Sequence, residues 1–488
     1  MHHGKEFNRA LRWLAAGRLA AQTLSWAITI LVIRLLTPAD YGLAAMVSTV
    51  STLITLVAEF GFGVALIQAR EISREQSANV FGAAIVFGIL SSLVMMALAP
   101  VAVTFYGEAR LAHIVPVTAA SFSIAALATL PDAQLRRELR FRALSFIDFI
   151  SALTGGLTTL ALAFQGKGVW ALVYGPLAAN TARVIVLHII IPDRIMPRFQ
   201  LRKAFQIIRF GGQITIARFA TYLVTQSDIL IAGRFLGKDA VGYYSVALDL
   251  AMLPLSKIMN IVNQAALPTL SKMDRETSDD QRPKLLDALR RVGYVIFPGI
   301  WGIAAVAPWL VPGFLGPKWA SAILPLQIVC AILPIRMVST LVSTAITSFG
   351  RADIELRNGL TAMFIFPLAF FAGVHFGVVG LAGAWCIALP LNLFITLFRS
   401  KKVLGFGHFE IGMALSRPAM YSGLMVILVY GTGQLFIADP LNRQAILFLV
   451  LEGAAIYIAT LWFGDRKASL DLLTLFLPKF KGFQSKQA

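Results

Sequence analysis

The stretch ANVFGAAIVFGILSSLVMMALAPVAVT, residues 78–104, contains no charged side chain and is long enough to cross a bilayer as a helix. Similar apolar runs recur along the chain from residue 11 to residue 464. The hydrophobic content of the 488 residues is 57% and the charged content is 14%. A soluble domain carries about a quarter of its residues as charges. The sequence therefore predicts an all-α integral membrane protein.

The apolar windows predict about fourteen transmembrane helices. They lie near residues 11–36, 43–67, 78–104, 113–131, 145–165, 168–191, 205–236, 242–268, 286–314, 319–349, 356–376, 378–399, 417–437 and 443–464. We assign an N-terminal lobe to residues 1–200 with helices 1 to 6, and a C-terminal lobe to residues 201–400 with helices 7 to 12. Residues 401–488 contain helices 13 and 14 and a basic tail.

The distribution of Lys and Arg predicts the orientation of the chain. If the N-terminus is cytoplasmic, the outer segments hold only seven of the 43 Lys and Arg: Arg34, Arg110, Lys167, Arg234, Lys238, Lys318 and Arg443. By the positive-inside rule, both termini are then cytoplasmic. The net charge of +18 does not indicate nucleic-acid binding, because the cations lie in short loops rather than on one soluble face.

The two halves contain an internal repeat. At an offset of 200 positions, RLLTPADYG at residues 34–42 aligns with RFLGKDAVG at residues 234–242, so that Gly42 matches Gly242. The same offset aligns Arg18 with Arg218. We interpret the match as a duplication, and the alternative is two unrelated hydrophobic bundles that match by compositional bias.

An even number of predicted helices in each half gives the two copies the same orientation in the membrane. The sequence thus predicts two parallel-related six-helix lobes around a central cavity, with two further C-terminal helices. Transporters with parallel repeats commonly bind their substrate between the halves. A second match, FYG at residues 105–107 with FLG at residues 314–316, extends the repeat.

Polar residues recur every three or four positions along five predicted helices, which is typical of a face turned toward protein or water. The stripes are Arg18, Gln22, Ser25 and Thr29; Ser48, Thr52, Thr55 and Glu59; Arg218, Thr221, Thr225 and Asp228; Ser245, Asp249, Ser256, Asn260 and Asn263; and Arg336, Thr340, Ser343 and Thr347. They predict a shared hydrophilic cavity. For Ser and Thr alone, close helix packing is the competing interpretation.

The charged members of these stripes form the candidate substrate site. Arg18, Arg218, Lys257 and Arg336 would create an electropositive chamber suited to a phosphate or diphosphate, with Gln22 and Asn260 beside them. Glu59, Asp228 and Asp249 are candidates for H⁺ or Na⁺ coupling. The alternative is structural ion pairing, for example of Arg218 with Asp228 or of Lys257 with Asp249.

Charges near predicted helix ends are interpreted as structural. Asp148, Arg183 and Glu452 are expected to reach the membrane interface by snorkelling. Cys330 and Cys386 form no CxxC pair, and we interpret both as small core residues. The sequence contains no GxxxxGK[ST], GxSxG or HExxH motif, so we expect neither an enzyme nor a metal or organic cofactor.

Four segments resemble the Wzx-like polysaccharide-transport flippases of the multidrug, oligosaccharidyl-lipid and polysaccharide exporter superfamily. They are RLLTPADYGLAAM (34–46), AEFGFGVALIQ (58–68), QLRRELRFRAL (134–144) and SDILIAGRFLGKDAVGYYSVA (227–247). The resemblance implies translocation of undecaprenyl-diphosphate-linked oligosaccharides, of an exopolysaccharide or O-antigen, across the bacterial inner membrane by alternating access. It also implies that cationic cavity residues hold the diphosphate, with Arg18 and Arg218 as the matching positions.

The expected partners are the lipid-linked oligosaccharide, membrane lipids, and the polysaccharide polymerase and export machinery. Two other functions are left open. A cation-coupled multidrug exporter of the same superfamily would be expected to carry more acids than bases in the membrane, and this chain shows the opposite balance. A membrane polysaccharide polymerase or ligase usually carries a sizeable outer loop, and the predicted outer turns are short.

Overall fold

The computed structural model describes residues 25–58, 66, 73–191, 195–200, 205–253, 281–437, 439, 441–466 and 468–470. Only the backbone is described for residues 56–58, 205–218, 220, 281, 282 and 284. These ranges are helical apart from turns and the segment 195–200, and they contain no β-strand.

The helices are labelled in chain order. They are α1 (Ser25–Leu35), α2 (Pro38–Ala58), α3 (Arg74–Tyr106), α4 (Leu111–Arg137), α5 (Phe141–Phe164), α6 (Val169–Ile190), α7 (Phe205–Phe235), α8 (237–253), α9 (Gln281–Leu310), α10 (Ile323–Ser348), α11 (Ala352–Val374), α12 (Gly377–Leu404), α13 (His408–Phe436) and α14 (Arg443–Gly464). Each overlaps one predicted window. Within the described residues, ten helices are long and apolar enough to cross a membrane, or eleven with the bent pair α1 and α2. The number of fourteen crossings stays a prediction.

The apolar faces of these helices are largely exposed. Only 17% of the apolar window of α6 and 22% of that of α5 is buried inside the protein. Phe463 on α14 is 87% exposed, and Phe436 on α13 is 80% exposed. Apolar surface this extensive is compatible with a lipid solvent and not with water. The structure thus confirms the all-α, multi-pass membrane protein.

The start of α2 shows how local sequence ends one helix and begins the next. The Thr37 N–H donates to Asp40 Oδ2 at 3.0 Å, and the Asp40 N–H donates to Thr37 Oγ1 at 3.3 Å. This reciprocal capping box, with Pro38 at the first helical position, is a strong helix-start signal. The axes of α1 and α2 differ in direction by 117° at this break.

The start of α13 differs from the prediction. The helix begins at His408 rather than near residue 417, because the Gly407 N–H donates to Glu410 Oε2 at 3.0 Å and caps an extra segment. Hydropathy excluded residues 408–416 from the predicted window because Glu410 and Arg417 are charged, but charged residues are compatible with a helix.

Contacts divide the chain into two compact units, Met1–Gly242 and Tyr243–Ala488. In the first unit, Leu135, Ile147 and Leu187 join α4, α5 and α6 in one apolar cluster. α7 also belongs to this unit. The lobe boundaries at residues 200 and 400 stay a prediction.

The second unit contains α9 to α14. Trp309, Met425 and Leu449 join α9, α13 and α14 in a buried cluster. The Tyr457 hydroxyl on α14 donates to the Tyr294 carbonyl on α9 at 2.7 Å. The two C-terminal helices therefore pack directly on α9.

The two cysteines occupy different environments. Cys330 on α10 is buried, as expected. Cys386 on α12 is exposed, so its interpretation as a core residue was wrong. It lies beside Ile387, which is 66% exposed, so this part of α12 is not covered by other helices of the described chain.

Candidate functional site

Most of the predicted substrate residues fall outside the part of the chain that the structure describes. The residues outside are Arg18, Gln22, Glu59, Lys257 and Asn260. Arg218 lies on α7, but its side chain is not among the described ones. The structure does place Asp228, Asp249 and Arg336. The convergence of the full set on one cavity stays a prediction.

Arg336 lies on α10 in the second unit, where its guanidinium carbon is 5.6 Å from the ring centroid of Trp385 on α12. Trp385 is buried, and its Nε1–H donates to the Tyr244 hydroxyl at 2.7 Å. Phe366 and Phe370 pack edge-on against the same indole. We term these five residues the arginine cluster. Because the indole is fixed on several sides, it holds the Arg336 cation in a defined position.

The two described carboxylates lie in different units. Asp228 on α7 is only 2% exposed, and its Oδ1 accepts a hydrogen bond from the Ile229 N–H at 2.7 Å. Asp249 on α8 is exposed. The coupling role of both residues, and their pairing with Arg218 and Lys257, stay untested because those cationic side chains are not described.

The hydroxyl stripes are satisfied mainly by their own helices. Thr52 donates to the Ser48 carbonyl at 2.8 Å, and Thr340 donates to the Arg336 carbonyl at 2.9 Å. Ser343 instead donates to Glu355 Oε1 on the next helix at 2.5 Å. Hydroxyls bonded in this way add little polarity to a cavity, which favours the packing interpretation for them.

Sequence reasoning missed the polar contact between α2 and α7. Thr49 Oγ1 donates to Gln226 Oε1, and the Tyr222 hydroxyl donates to the Thr49 carbonyl, both at 3.4 Å. Thr49 is one residue beyond the predicted stripe member Ser48. The only signal in the sequence was the presence of a polar Gln226 within an apolar window.

The two copies of the internal repeat touch through their backbones. A Cβ atom on Gly42 would lie 1.7 Å from the Lys238 carbonyl oxygen, and one on Gly242 would lie 1.9 Å from the Pro38 carbonyl oxygen. A shift of 200 positions converts Gly42 into Gly242 and Pro38 into Lys238. One contact is therefore the other with the two copies exchanged, as a two-fold axis requires. We term these four residues the repeat contact, and its symmetry supports the duplication.

Side chains reinforce the repeat contact. Lys238 Nζ lies 2.6 Å from Glu108 Oε2, and Arg110 Nε lies 3.4 Å from Glu108 Oε1. Partial burial by itself would raise the pKa of Glu108, but the hydrogen bonds and charges of Lys238 and Arg110 outweigh it and lower that pKa below its ordinary value. The turn after α3 is thereby tied to the start of α8.

Arg183 and Glu452 contact other helices, which the snorkelling interpretation did not predict. Arg183 on α6 forms ion pairs with Asp132 on α4 and Asp148 on α5. Glu452 on α14 accepts a hydrogen bond from Thr432 Oγ1 at 2.8 Å. These partners lie on other helices, so position within a single apolar window could not reveal them.

Two bacterial proteins are similar to most of the chain. An uncharacterized membrane protein in the cps region of Klebsiella pneumoniae is 24% identical over 473 residues, covering 96% of this chain and 97% of that protein. The lipopolysaccharide biosynthesis protein WzxC of Escherichia coli is 23% identical over 398 residues, covering 81% of each chain.

Solved transporter structures share the fold. The lipid II flippase MurJ, in an inward closed conformation, aligns with a TM-score of 0.73 at 15% identity over 92% of this chain and 98% of MurJ. An inward-facing multidrug resistance MATE family transporter of the MOP superfamily aligns with a TM-score of 0.59 at 15% identity, covering 84% and 96% of the chains.

The family model described as polysaccharide biosynthesis protein matches residues 31–324, which is more than half of the chain. This range includes both copies of the repeat contact and the helices α2 to α9. The chain therefore belongs to the polysaccharide biosynthesis protein family.

Proposed function

We propose that this chain is a flippase that moves an undecaprenyl-diphosphate-linked oligosaccharide repeat unit from the cytoplasmic to the outer leaflet of the bacterial inner membrane. The observation that carries the proposal is the polysaccharide biosynthesis family match over residues 31–324. It occurs in a membrane fold similar to that of a lipid II flippase. The similarity to the lipopolysaccharide biosynthesis protein WzxC supports the same class of substrate.

The internal repeat supports a mechanism of alternating access, because transporters with parallel repeats commonly rock one repeat against the other around a central site. The repeat contact lies inside the first unit, where it joins α2 to α8. Gly42 and Gly242 contribute no side chain, so their backbones close tightly without interlocking side chains. The Glu108–Lys238 ion pair is partly exposed and can exchange its partner for water at small cost.

The cations provide the substrate contacts in this proposal. Arg336, positioned by Trp385, would bind oxygen atoms of the diphosphate. Arg18, Arg218 and Lys257 would bind the same diphosphate group. Gln22 and Asn260 would contact sugar hydroxyls. Glu59, Asp228 and Asp249 would carry H⁺ or Na⁺ if transport is coupled. Both termini would be cytoplasmic, and the polymerase and export machinery would receive the product.

A clean deletion of the gene, without a redundant homologue, tests the function. We expect surface polysaccharide to be lost and its lipid-linked repeat unit to accumulate in the cytoplasmic leaflet, where an impermeant glycan-modifying probe cannot reach it in intact cells. Complementation with the wild-type chain should restore both readouts. Normal surface polysaccharide in the deletion would contradict the proposal, and increased drug sensitivity alone would favour the exporter alternative.

The substrate site is tested at Arg218. We expect Arg218→Ala to reduce transport more than Arg218→Lys, because a diphosphate ligand requires the positive charge first and the forked geometry second. Membrane levels of both variants, measured by immunoblot, should match the wild type. Arg443→Ala, at a cation predicted to lie in an outer segment, is the control. Equal transport by the two Arg218 variants would show that this residue is only part of the scaffold.

A further inference from the structure

A pocket of about 500 Å³ lies in the first unit. Three turns meet there: the turn before α2 with Thr37, the turn before α4 with Arg110, and the turn before α6 with Gly166, Lys167 and Gly168. The pocket is also lined by Asp40, His113, Ile114, Val169 and Trp170. Its walls thus combine polar side chains with a large aromatic ring.

The exposed charged side chains of the pocket are positive. Arg110 and Lys167 are both exposed. Among the described residues, Arg110 has one ion pair, through Nε to Glu108 at 3.4 Å, and Lys167 has none. His113 is exposed and adds a ring nitrogen. The cationic groups are therefore available to an anionic ligand.

Asp40 is the one carboxylate of the lining, and its oxygens are already occupied. Asp40 is only 8% exposed. Its Oδ2 accepts from the Thr37 N–H at 3.0 Å and from Thr37 Oγ1 at 2.6 Å, while its Oδ1 accepts from the Val169 N–H at 3.0 Å. This carboxylate joins α2 to α6, and both of its oxygens already accept hydrogen bonds.

One helix end adds to the positive potential. α4 begins at this pocket without a side-chain cap, whereas the first N–H of α6, that of Val169, already donates to Asp40 Oδ1. The positive end of the α4 dipole therefore adds to the charges of Arg110 and Lys167. Arg110 and Lys167 also belong to the seven Lys and Arg that the charge distribution assigns to the outer side. Because cations are depleted on that side of membrane proteins, the meeting of two in one pocket indicates an anionic ligand.

Trp170 indicates the depth of the pocket in the membrane. Its ring stacks on Tyr174 of the same helix with centroids 5.7 Å apart. Paired Trp and Tyr near the end of a transmembrane helix are typical of the headgroup region of a bilayer. A ligand at this depth would present a phosphate group from a lipid headgroup.

We propose that this pocket binds the phosphate of a lipid headgroup at the outer surface of the membrane. The source is either the diphosphate of the transported glycolipid or the phosphate of an anionic phospholipid. Arg110 would donate forked hydrogen bonds, Lys167 would supply a compact charge, and His113 would donate a ring N–H. Only the assignment of glycolipid as one of the sources rests on the proposed function, since binding at the pocket does not require transport.

The experiment uses the full chain in phosphatidylcholine nanodiscs, with inorganic pyrophosphate as the soluble probe and Trp170 fluorescence as the readout. We expect a saturable fluorescence change that is absent in Trp170→Phe. The affinity should fall about tenfold or more in the double variant Arg110→Gln, Lys167→Gln, because two charge-assisted contacts are lost. The double variant Lys318→Gln, Arg443→Gln removes the same charge from other predicted outer segments, and it should bind like the wild type.

A second set of nanodiscs distinguishes the two sources. Phosphatidylglycerol in the discs should change the Trp170 signal of the wild type, but not of the pocket variant, if a phospholipid headgroup is the ligand. Binding of pyrophosphate with no response to phosphatidylglycerol would assign the diphosphate. Absence of a response to both probes, or equal affinity in the wild type and the pocket variant, would overturn the proposal. If the melting temperature of the double variant is below that of the wild type, the single variant Lys167→Gln, at an exposed residue, replaces it in both experiments.

The transported glycan is absent from these discs. A failure of anion binding would therefore not contradict the flippase proposal, which the deletion experiment tests separately. Conversely, normal polysaccharide in the deletion would not affect the measured anion binding.

Discussion

The repeat contact in the first unit and the arginine cluster in the second unit hold helices together by different means. In the repeat contact, a backbone carbonyl oxygen lies 1.7 Å from the position that a Cβ on Gly42 would occupy. In the arginine cluster, a flexible side chain rests 5.6 Å from the Trp385 ring centroid. A backbone can move away only with its helix, whereas a side chain can change rotamer. The repeat contact should therefore tolerate no added atom, and the arginine cluster should tolerate conservative replacement.

We expect the largest effect from Gly42→Ala or Gly242→Ala, because the new methyl group would displace a backbone carbonyl. Overpacking of this kind costs about 1–3 kcal/mol or more. The melting temperature of the purified protein should fall, and transport in the complemented deletion should fall with it. The matched control is Gly299→Ala on α9, where no heavy atom lies within 4 Å of the new Cβ. Equal melting temperatures for Gly42→Ala and Gly299→Ala would refute the backbone contact.

The turn that positions the repeat contact should be the next most sensitive. Asp40→Ala removes the acceptor for the Thr37 and Val169 N–H groups, and leaving such donors unsatisfied costs about 1–3 kcal/mol. Asp40→Asn keeps one acceptor oxygen and should destabilise less, as measured by thermal unfolding. Asp239→Ala, at an exposed aspartate in the second copy of the repeat, is the control. A loss as large in the Asp239 variant would show that the turn is not specially dependent on Asp40.

The arginine cluster should show a graded response. Arg336→Ala removes the cation–π contact with Trp385, which is worth about 0.5–2 kcal/mol. Arg336→Lys retains the charge and should lose less stability and less transport than Arg336→Ala, because only the forked donor geometry is gone. Thermal unfolding and polysaccharide export measure the two effects separately. The control is Arg351→Ala, which removes an arginine from an exposed ion pair with Asp353. Equal melting temperature and equal export in Arg336→Ala and Arg351→Ala would show that Arg336 is not part of the substrate site.

Glu108→Gln should have the smallest effect, because a partly exposed ion pair contributes about 1 kcal/mol or less. The pKa of Glu108 is lowered from its ordinary value of 4.5, so its contribution is present above that value and is lost as the pH falls through the lower, folded-state pKa. We expect the difference in melting temperature between wild type and Glu108→Gln to stay constant from neutral pH to about 4.5 and to shrink below it. A difference that grows on acidification would contradict the assigned pairing.

Much of the fold followed from local properties of the sequence. Hydropathy marked every helix in the described residues, because lipid exposure requires apolar side chains wherever a helix faces the bilayer. It failed at the start of α13, where the capping of Gly407 by Glu410 depends on a hydrogen bond rather than on hydropathy. Periodicity selected Arg336 correctly as a residue facing other helices, since polar spacing reports one helix face.

Contacts between helices could not be predicted in the same way. Thr49 and Gln226 meet because of the relative rotation and depth of α2 and α7, and no single helix carries that information. The pairing of Arg183 with Asp132 and Asp148 depends likewise on three helices. Hydroxyl spacing alone overestimated the polar surface, because Thr52 and Thr340 bond to their own helices.

The sequence by itself determined that the chain crosses a membrane as helices, since composition needs no third dimension, and its repeated residues predicted that the two halves are copies. Only the tertiary structure shows why Gly42 and Gly242 lack a side chain: each faces a backbone carbonyl of the other copy. It also decided that Arg110 and Lys167 share one pocket. Distances between separate helices depend on how the whole unit packs, and packing is a property of all the side chains together.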